Sequence, residues 1–233
     1  MAFEFKQVEI KGIDGHQRLA IQELNIPESG VTVIVGPSGA GKSTLLRLCN
    51  RLEVADDGLI RFDGRPIDDT PPLDLRRSVG MVFQEPVRFA GTVLDNLREA
   101  DSSIGPAAAE SLLDRIGLDG SFLTRLADEL SGGEAQRMCI ARALATGPEV
   151  LLMDEPTSSL DPSATRTIED QALALAAAGM PILWVTHDTA QMNRIAAHVV
   201  CLIDGAVTYR GSPTGLLTAP DPRIAAFLAE QPS

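Results

Sequence analysis

Hydrophobic and polar positions divide the chain into short periodic pieces punctuated by Gly and Pro. Phe3 to Ile10 and Leu19 to Ile26 alternate apolar with polar residues, the pattern of half-buried strands, and Pro27 and Gly30 turn the chain after the second. They predict an antiparallel edge. Four further segments, VTVIV (31–35), SVGMVF (78–83), VLLM (150–153) and PILWVT (181–186), are near-continuous apolar runs of strand length. Strands covered on both faces have that pattern, so it implies an α/β fold with a mostly parallel sheet. Helical spacing occupies 42–52, 131–146 and 162–178, the last opened by Asp161 as N-cap and Pro162 at the first helical position.

Residues 87–147 lack a strand-like run and are rich in Ala and Leu at helix-compatible spacing, as in Ala107 to Ile116. They read as a helical subdomain inserted into one domain whose core is 1–86 and 148–233, with an N-terminal antiparallel β-subdomain. From Gly211 onward the pattern predicts two short helices. A chain of 233 residues with 44% hydrophobic content buries roughly 70–75% of its unfolded surface and needs neither metal nor disulfide to hold a core.

Lys and Arg number 20 against 32 Asp and Glu, a net charge of −12 that argues against a broad cationic face and therefore against nucleic acid as partner. Cys49, Cys139 and Cys201 have no metal-ligand spacing and leave one thiol over in any disulfide scheme, which fits a reduced, cytoplasmic setting. MAFEFKQVEI has no basic segment leading into an apolar run, so no signal peptide is read. The longest apolar stretch, Ala172 to Val185, is broken by Gly179 and Pro181 and falls short of the roughly 18 residues that span a bilayer. If the protein works at a membrane, another chain crosses it.

The sharpest motif is GPSGAGKS at 36–43 followed by Thr44, which fits G-x-x-x-x-G-K-[ST] between a strand and a helix. Gly36, Gly39 and Gly41, with Pro37, Ser38 and Ala40 between them, let main-chain N–H groups wrap phosphates, Lys42 adds a cation and Ser43 can ligate magnesium. The alternative, a glycine-rich turn with an incidental lysine, does not account for the strand and helix flanks. VLLMDEP brings Asp154 and Glu155 to the end of a buried strand, where an ordinary turn is the competing reading. In phosphoryl transfer Asp154 can hold magnesium and Glu155 can orient or deprotonate the attacking water. Gln84 and His187 also follow apolar strands, so four segments converge on the carboxyl side of a parallel sheet, where such folds place ligands. His16 and His198 read as ordinary surface or core histidines.

LSGGEAQR at 130–137 places Gly132 and Gly133 at a helix start. Ser131 and Glu134 have capping-box spacing, which alone would explain them, but glycine in a first turn is disfavoured unless close backbone approach is wanted. With these residues assembled, the chain resembles the nucleotide-binding subunits of ATP-binding cassette (ABC) transporters, P-loop NTPases, over nearly its whole length. GPSGAGKS matches the Walker A motif, Gln84 the Q-loop, LSGGE the signature, VLLMDE the Walker B motif, SSLD at 158–161 the D-loop and His187 the switch histidine.

The resemblance implies a Mg-dependent ATPase that binds ATP between the P-loop of one copy and Ser131, Gly132, Gly133 and Glu134 of a second, head to tail. It gives Glu155 the general-base role, His187 a γ-phosphate contact, Gln84 a link between magnesium and the membrane partner, and Ser159 and Asp161 a path between the paired sites. It also implies a transmembrane permease, a substrate-binding protein on the import reading, and a position at the inner face of the membrane. Segments 45–52 and 77–97 look most like ATPases of phosphate importers, whereas FLTRLADELSGGE and ILWVTHD are also similar to a metal-export group. Direction and substrate stay open on these residues. The family's adenine-stacking aromatic has no counterpart in 11–18, where Ile13 or His16 are the substitutes and weaker base selectivity is expected. Nucleic-acid-remodelling relatives are disfavoured by the absence of a long coiled coil between Lys42 and Asp154, and a non-hydrolysing sensor by the presence of Lys42, Asp154, Glu155 and His187 together.

Overall fold

The alternating N-terminal segments form β1 (Phe3–Lys11) and β2 (Gln17–Ile26), paired antiparallel with Phe3 opposite Ile26 and Ile10 opposite Leu19. The structure, a computed structural model, describes residues 1–12 and 15–230. The apolar runs form β3 (Val31–Val35), β6 (Val79–Val82), β7 (Val150–Asp154) and β8 (Ile182–Val185). Four strands unread in the hydrophobic pattern complete the sheet: β4 (Asp57–Phe62), β5 (Arg65–Pro66), β9 (His198–Ile203) and β10 (Ala206–Gly211). The order across the sheet is β5-β4-β1-β2-β10-β9-β3-β8-β7-β6.

β9, β3, β8, β7 and β6 run parallel, while β1 pairs antiparallel with β2 and β4, and β9 with β10. The sheet is thus more mixed than the sequence predicts. The unread strands are hairpin partners whose turns carry Asp-Gly: Asp63-Gly64 and Asp204-Gly205, all four residues at positive φ. That dipeptide is the local signal that would have found them.

The helices are α1 (Lys42–Cys49), α2 (Pro72–Ser78), α3 (Val93–Arg98), α4 (Pro106–Arg115), α5 (Gly132–Ala145), α6 (Pro162–Ala177), α7 (Thr189–Ile195), α8 (Pro213–Leu217) and α9 (Pro222–Ala229). Helix α1 ends three residues before the predicted limit because Asn50 leaves helical geometry and Arg51 takes a left-handed conformation, φ 55°. Between 87 and 147 the chain forms α3, α4 and α5 with two short 3₁₀ turns.

Successive strand residues feed opposite cores, as two-sided burial demands. Val33, Leu151 and Trp184 face a cluster completed by Leu113 of α4, Ile140 of α5 and Ile168 of α6. Ile34, Leu152 and Leu183 face the other, with Phe3, Phe5, Leu45 and Leu48. Helix α1 is therefore clamped between the parallel sheet and the N-terminal strands. Among the described residues no helix is long and apolar enough to cross a membrane.

Candidate functional site

The chain leaves β3 through Gly36, whose φ is 148° and where a Cβ would lie 2.0 Å from the carbonyl oxygen of Leu202 in β9. Only glycine lets the backbone pass that close. The loop ends at Gly41, φ 93°, where a Cβ would stand 3.2 Å from the Arg18 carbonyl oxygen, and α1 begins with Lys42. Free N–H groups at this helix start give the loop positive potential.

Lys42 is buried, and its Nζ donates to the carbonyls of Gly36 and Pro37, both at 2.9 Å. Two of three ammonium donors are thus committed to the loop, and one remains for a ligand. Burial lowers its pKa, opposed by the negative charges of Glu155 and Asp154. Ser43 Oγ donates to Asp154 Oδ1 at 2.7 Å, and Arg47 Nη2 lies 3.7 Å from Oδ2. Asp154, 4% exposed at the end of β7, has its pKa raised by burial, against the pull of Ser43 and Arg47. A hydroxyl, one carboxylate and room for phosphate oxygens and water make a hard-oxygen set that suits magnesium. Among the described residues no group of three His, Cys, Asp or Glu gathers as a metal cluster.

Glu155 has a left-handed backbone, φ 44°, and donates its N–H to Val185 at 3.1 Å. A non-glycine residue there is uncommon and costs about 1–3 kcal/mol, a strain typical of functional sites. Its Oε2 lies 3.2 Å from His187 Nδ1. A cavity of about 940 Å³ unites these groups: Ser38, Gly39 and Gly41 to Thr44 form its floor, Glu155 and His187 one wall, and Gln17, Arg18, Asp204 and Gly205 another. Strand order explains the two walls, because β8 and β7 lie on one side of β3 and β9, β10 and β2 on the other.

The other sequence-predicted residues stand elsewhere. Gln84 follows β6, is exposed, and donates Nε2 to Ser158 Oγ at 3.2 Å. Ser131 and Glu134 form the capping box of α5: the Ser131 N–H donates to Glu134 Oε2 at 2.8 Å, and the Glu134 N–H donates to Ser131 Oγ at 3.4 Å. A Cβ on Gly133 would meet Ala164 Cβ at 2.9 Å, so packing within the chain already favours glycine there. Asp161 caps α6, accepting from Ser163 N and Ala164 N, and Ser159 is exposed. None of Ser131, Gly132, Gly133 or Glu134 lines the cavity.

Arg18, Arg47, Asp204 and Gly205 escaped the sequence reading. Arg47 lies one helical turn after Ser43, on the same face, a spacing that could have drawn notice. The others depend on β2 and the β9–β10 turn meeting the loop, which no local pattern records. Of the proposed substitutes for an aromatic, Ile13 lies outside the described residues, and His16 is exposed and does not line the cavity.

Residues 19–158 match the family model described as ABC transporter. The chain is 42% identical over 219 residues to Protein STAR1 of Oryza sativa subsp. japonica, covering 92% of this chain and 63% of the rice protein's length. It is 39% identical to the phosphate import ATP-binding protein PstB 2 of Natronomonas pharaonis, covering 90% of this chain and 80% of that one. It is 37% identical to the glutamine transport ATP-binding protein GlnQ of Escherichia coli, covering 95% and 98%. Among solved structures, cbiO1 of Clostridium perfringens, part of the ABC transporter complex cbiONQ, superposes with TM-score 0.85 at 27% identity over 98% of both chains. The chain belongs to the ABC transporter family, as one of its ATP-binding, ATP-hydrolysing subunits.

Proposed function

We propose that this chain binds Mg-ATP along residues 36–44, closes head to tail on a second copy, hydrolyses the γ-phosphate, and so drives a separate permease at the inner face of the membrane. One observation carries this function: Lys42, Ser43 with Asp154 hydrogen-bonded behind it, and the Glu155–His187 pair converge on a single cavity at the carboxyl ends of parallel strands. Magnesium, when bound, neutralises charge on the β- and γ-phosphates. Ser43, Asp154 and Gln84 would hold it. Lys42 turns its remaining donor toward phosphate. Glu155 orients the attacking water as general base, and His187 holds Glu155 and meets the γ-phosphate.

The second copy is needed because Ser131 and Gly132 are exposed and away from this chain's own cavity. Supplied by a partner, Ser131, Gly132, Gly133 and Glu134 would cover the nucleotide, with Ser159 and Asp161 at the seam. The core of 1–86 and 148–233 then moves against the helical subdomain of 87–147. Between them lies a groove of about 370 Å³ whose exposed Phe83, Val87 and Phe89 suit an apolar segment of the permease. Import, with phosphate as cargo and a binding protein delivering it, is supported by the likeness of segments 45–52 and 77–97 to phosphate-import ATPases.

Phosphate release from the purified chain, with and without magnesium, tests the activity. Glu155→Gln is expected to lower turnover by roughly 10²–10⁴-fold while retaining ATP and accumulating dimer. Wild-type turnover in that variant would refute the assignment of the base.

A further inference from the structure

The cavity, about 940 Å³, has room for more than a triphosphate, and its two walls differ in chemistry. Glu155 and His187 mark the end where the γ-phosphate reacts. The opposite wall, formed by β2 and the β9–β10 turn, then faces the nucleobase. No Phe, Tyr or Trp among the described residues lines the cavity. What stands there is Arg18, the second residue of β2, with Asp204 beside it.

Arg18 is held by its edges. Nη1 donates to Glu53 Oε1 at 2.5 Å and Nη2 donates to Thr44 Oγ1 at 3.1 Å. Hydrogen bonds to a guanidinium lie in its plane, so these two fix the plane and leave the flat face uncommitted. The backbone beneath is equally fixed: a Cβ on Gly205 would sit 2.7 Å from the Arg18 carbonyl oxygen, and Ala20 donates its N–H to Gly205 at 2.7 Å. The side chain is 47% exposed and lines the cavity, so a ligand there can reach it. Guanidinium planes stack on nucleobases as aromatic rings do.

We infer that Arg18 is the nucleobase platform of this chain, a flat cation held by Glu53 and Thr44 that packs on the purine in place of an aromatic ring. The inference rests on the 36–44 loop being the nucleotide site proposed above. It assigns Arg18 a base-binding role, and Glu53 the role of holding it in place. Thr44 links the platform to the loop, so base and phosphate positions are set by the same residue.

Binding of Mg-ATP and of Mg-tripolyphosphate, which has no base, separates the possibilities in the full-length chain. Arg18→Ala and Arg18→Lys should each weaken ATP about tenfold and leave tripolyphosphate unchanged, because lysine keeps the charge but not the plane. Arg18→Tyr should restore ATP affinity. Equal losses for both ligands would show a phosphate contact and overturn the proposal, as would wild-type ATP affinity in Arg18→Ala or in Arg18→Lys. Lys42→Ala reports on the underlying site: it should abolish binding of both ligands. If it changes neither, the loop itself is misassigned, a failure distinct from that of Arg18.

Discussion

Glu169 on α6 is almost fully buried, at 2% exposure, and accepts three hydrogen bonds. Arg194 donates Nε at 2.9 Å and Nη2 at 2.6 Å, and Gln191 donates Nε2 at 2.9 Å. Gln191 in turn donates to Thr157 Oγ1 at 3.0 Å and accepts from the indole of buried Trp184 at 3.1 Å. The network ties α6, α7, β8 and the turn after Glu155 together. Glu169→Gln keeps shape and removes charge. Charge-assisted bonds are worth about 1.5–3 kcal/mol and neutral ones about 0.5–1.5, so the two Arg194 contacts and the Gln191 contact lose roughly 1 kcal/mol each. Arg194, 30% exposed, recovers part of its hydration, which holds the total near ~2–3 kcal/mol rather than the ~3–5 of a fully buried pair. At roughly 2–4 °C per kcal/mol for a chain of this size, Tm falls by about 5–10 °C at pH 7.

The pH dependence gives the sharper check. Burial by itself raises the Glu169 pKa, but the bonds from Arg194 and Gln191 outweigh it and hold the carboxyl below its ordinary value. A depressed folded pKa means the stabilisation is full above the ordinary glutamate range and disappears as pH falls through the lower folded value. Because glutamine mimics protonated glutamate, the melting curves of wild type and variant should converge below about pH 4. Thermal melts across that range decide it. A Tm difference that persists unchanged into acid, or none at pH 7, would show that the buried carboxylate is not what the network depends on.

Asp154 has the opposite sign. Its folded pKa is raised by burial, so the charged form is disfavoured in the folded chain, and stability increases as pH falls through the raised value. Asp154→Asn should therefore raise Tm without nucleotide at neutral pH, with a gain that shrinks in acid, while phosphate release is lost; a lower Tm at pH 7 would contradict this. Base readout by a flat face predicts that ATP and GTP bind within about threefold of each other, since stacking tolerates any base. Titration showing a strong ATP preference would mean that a base edge is read as well.

The sequence by itself determined the local geometry that contiguous residues form. The turn at 36–41 before α1, the carboxylates at the end of β7 and the cap of α6 at Asp161 were all legible, because loop conformation and capping are set by neighbours along the chain. The glycine pair after Ser131 was only partly legible: the capping box was read, whereas the contact of Gly133 with Ala164 belongs to the packing of α5 on α6. Only tertiary structure decided that Arg18 and Asp204 form one wall of the cavity and Glu155 and His187 the other. It alone joined Glu169 to Arg194. Those encounters follow from strand order and helix docking, which bring together side chains far apart in the chain, and a periodic pattern records which face a residue presents but not what meets it.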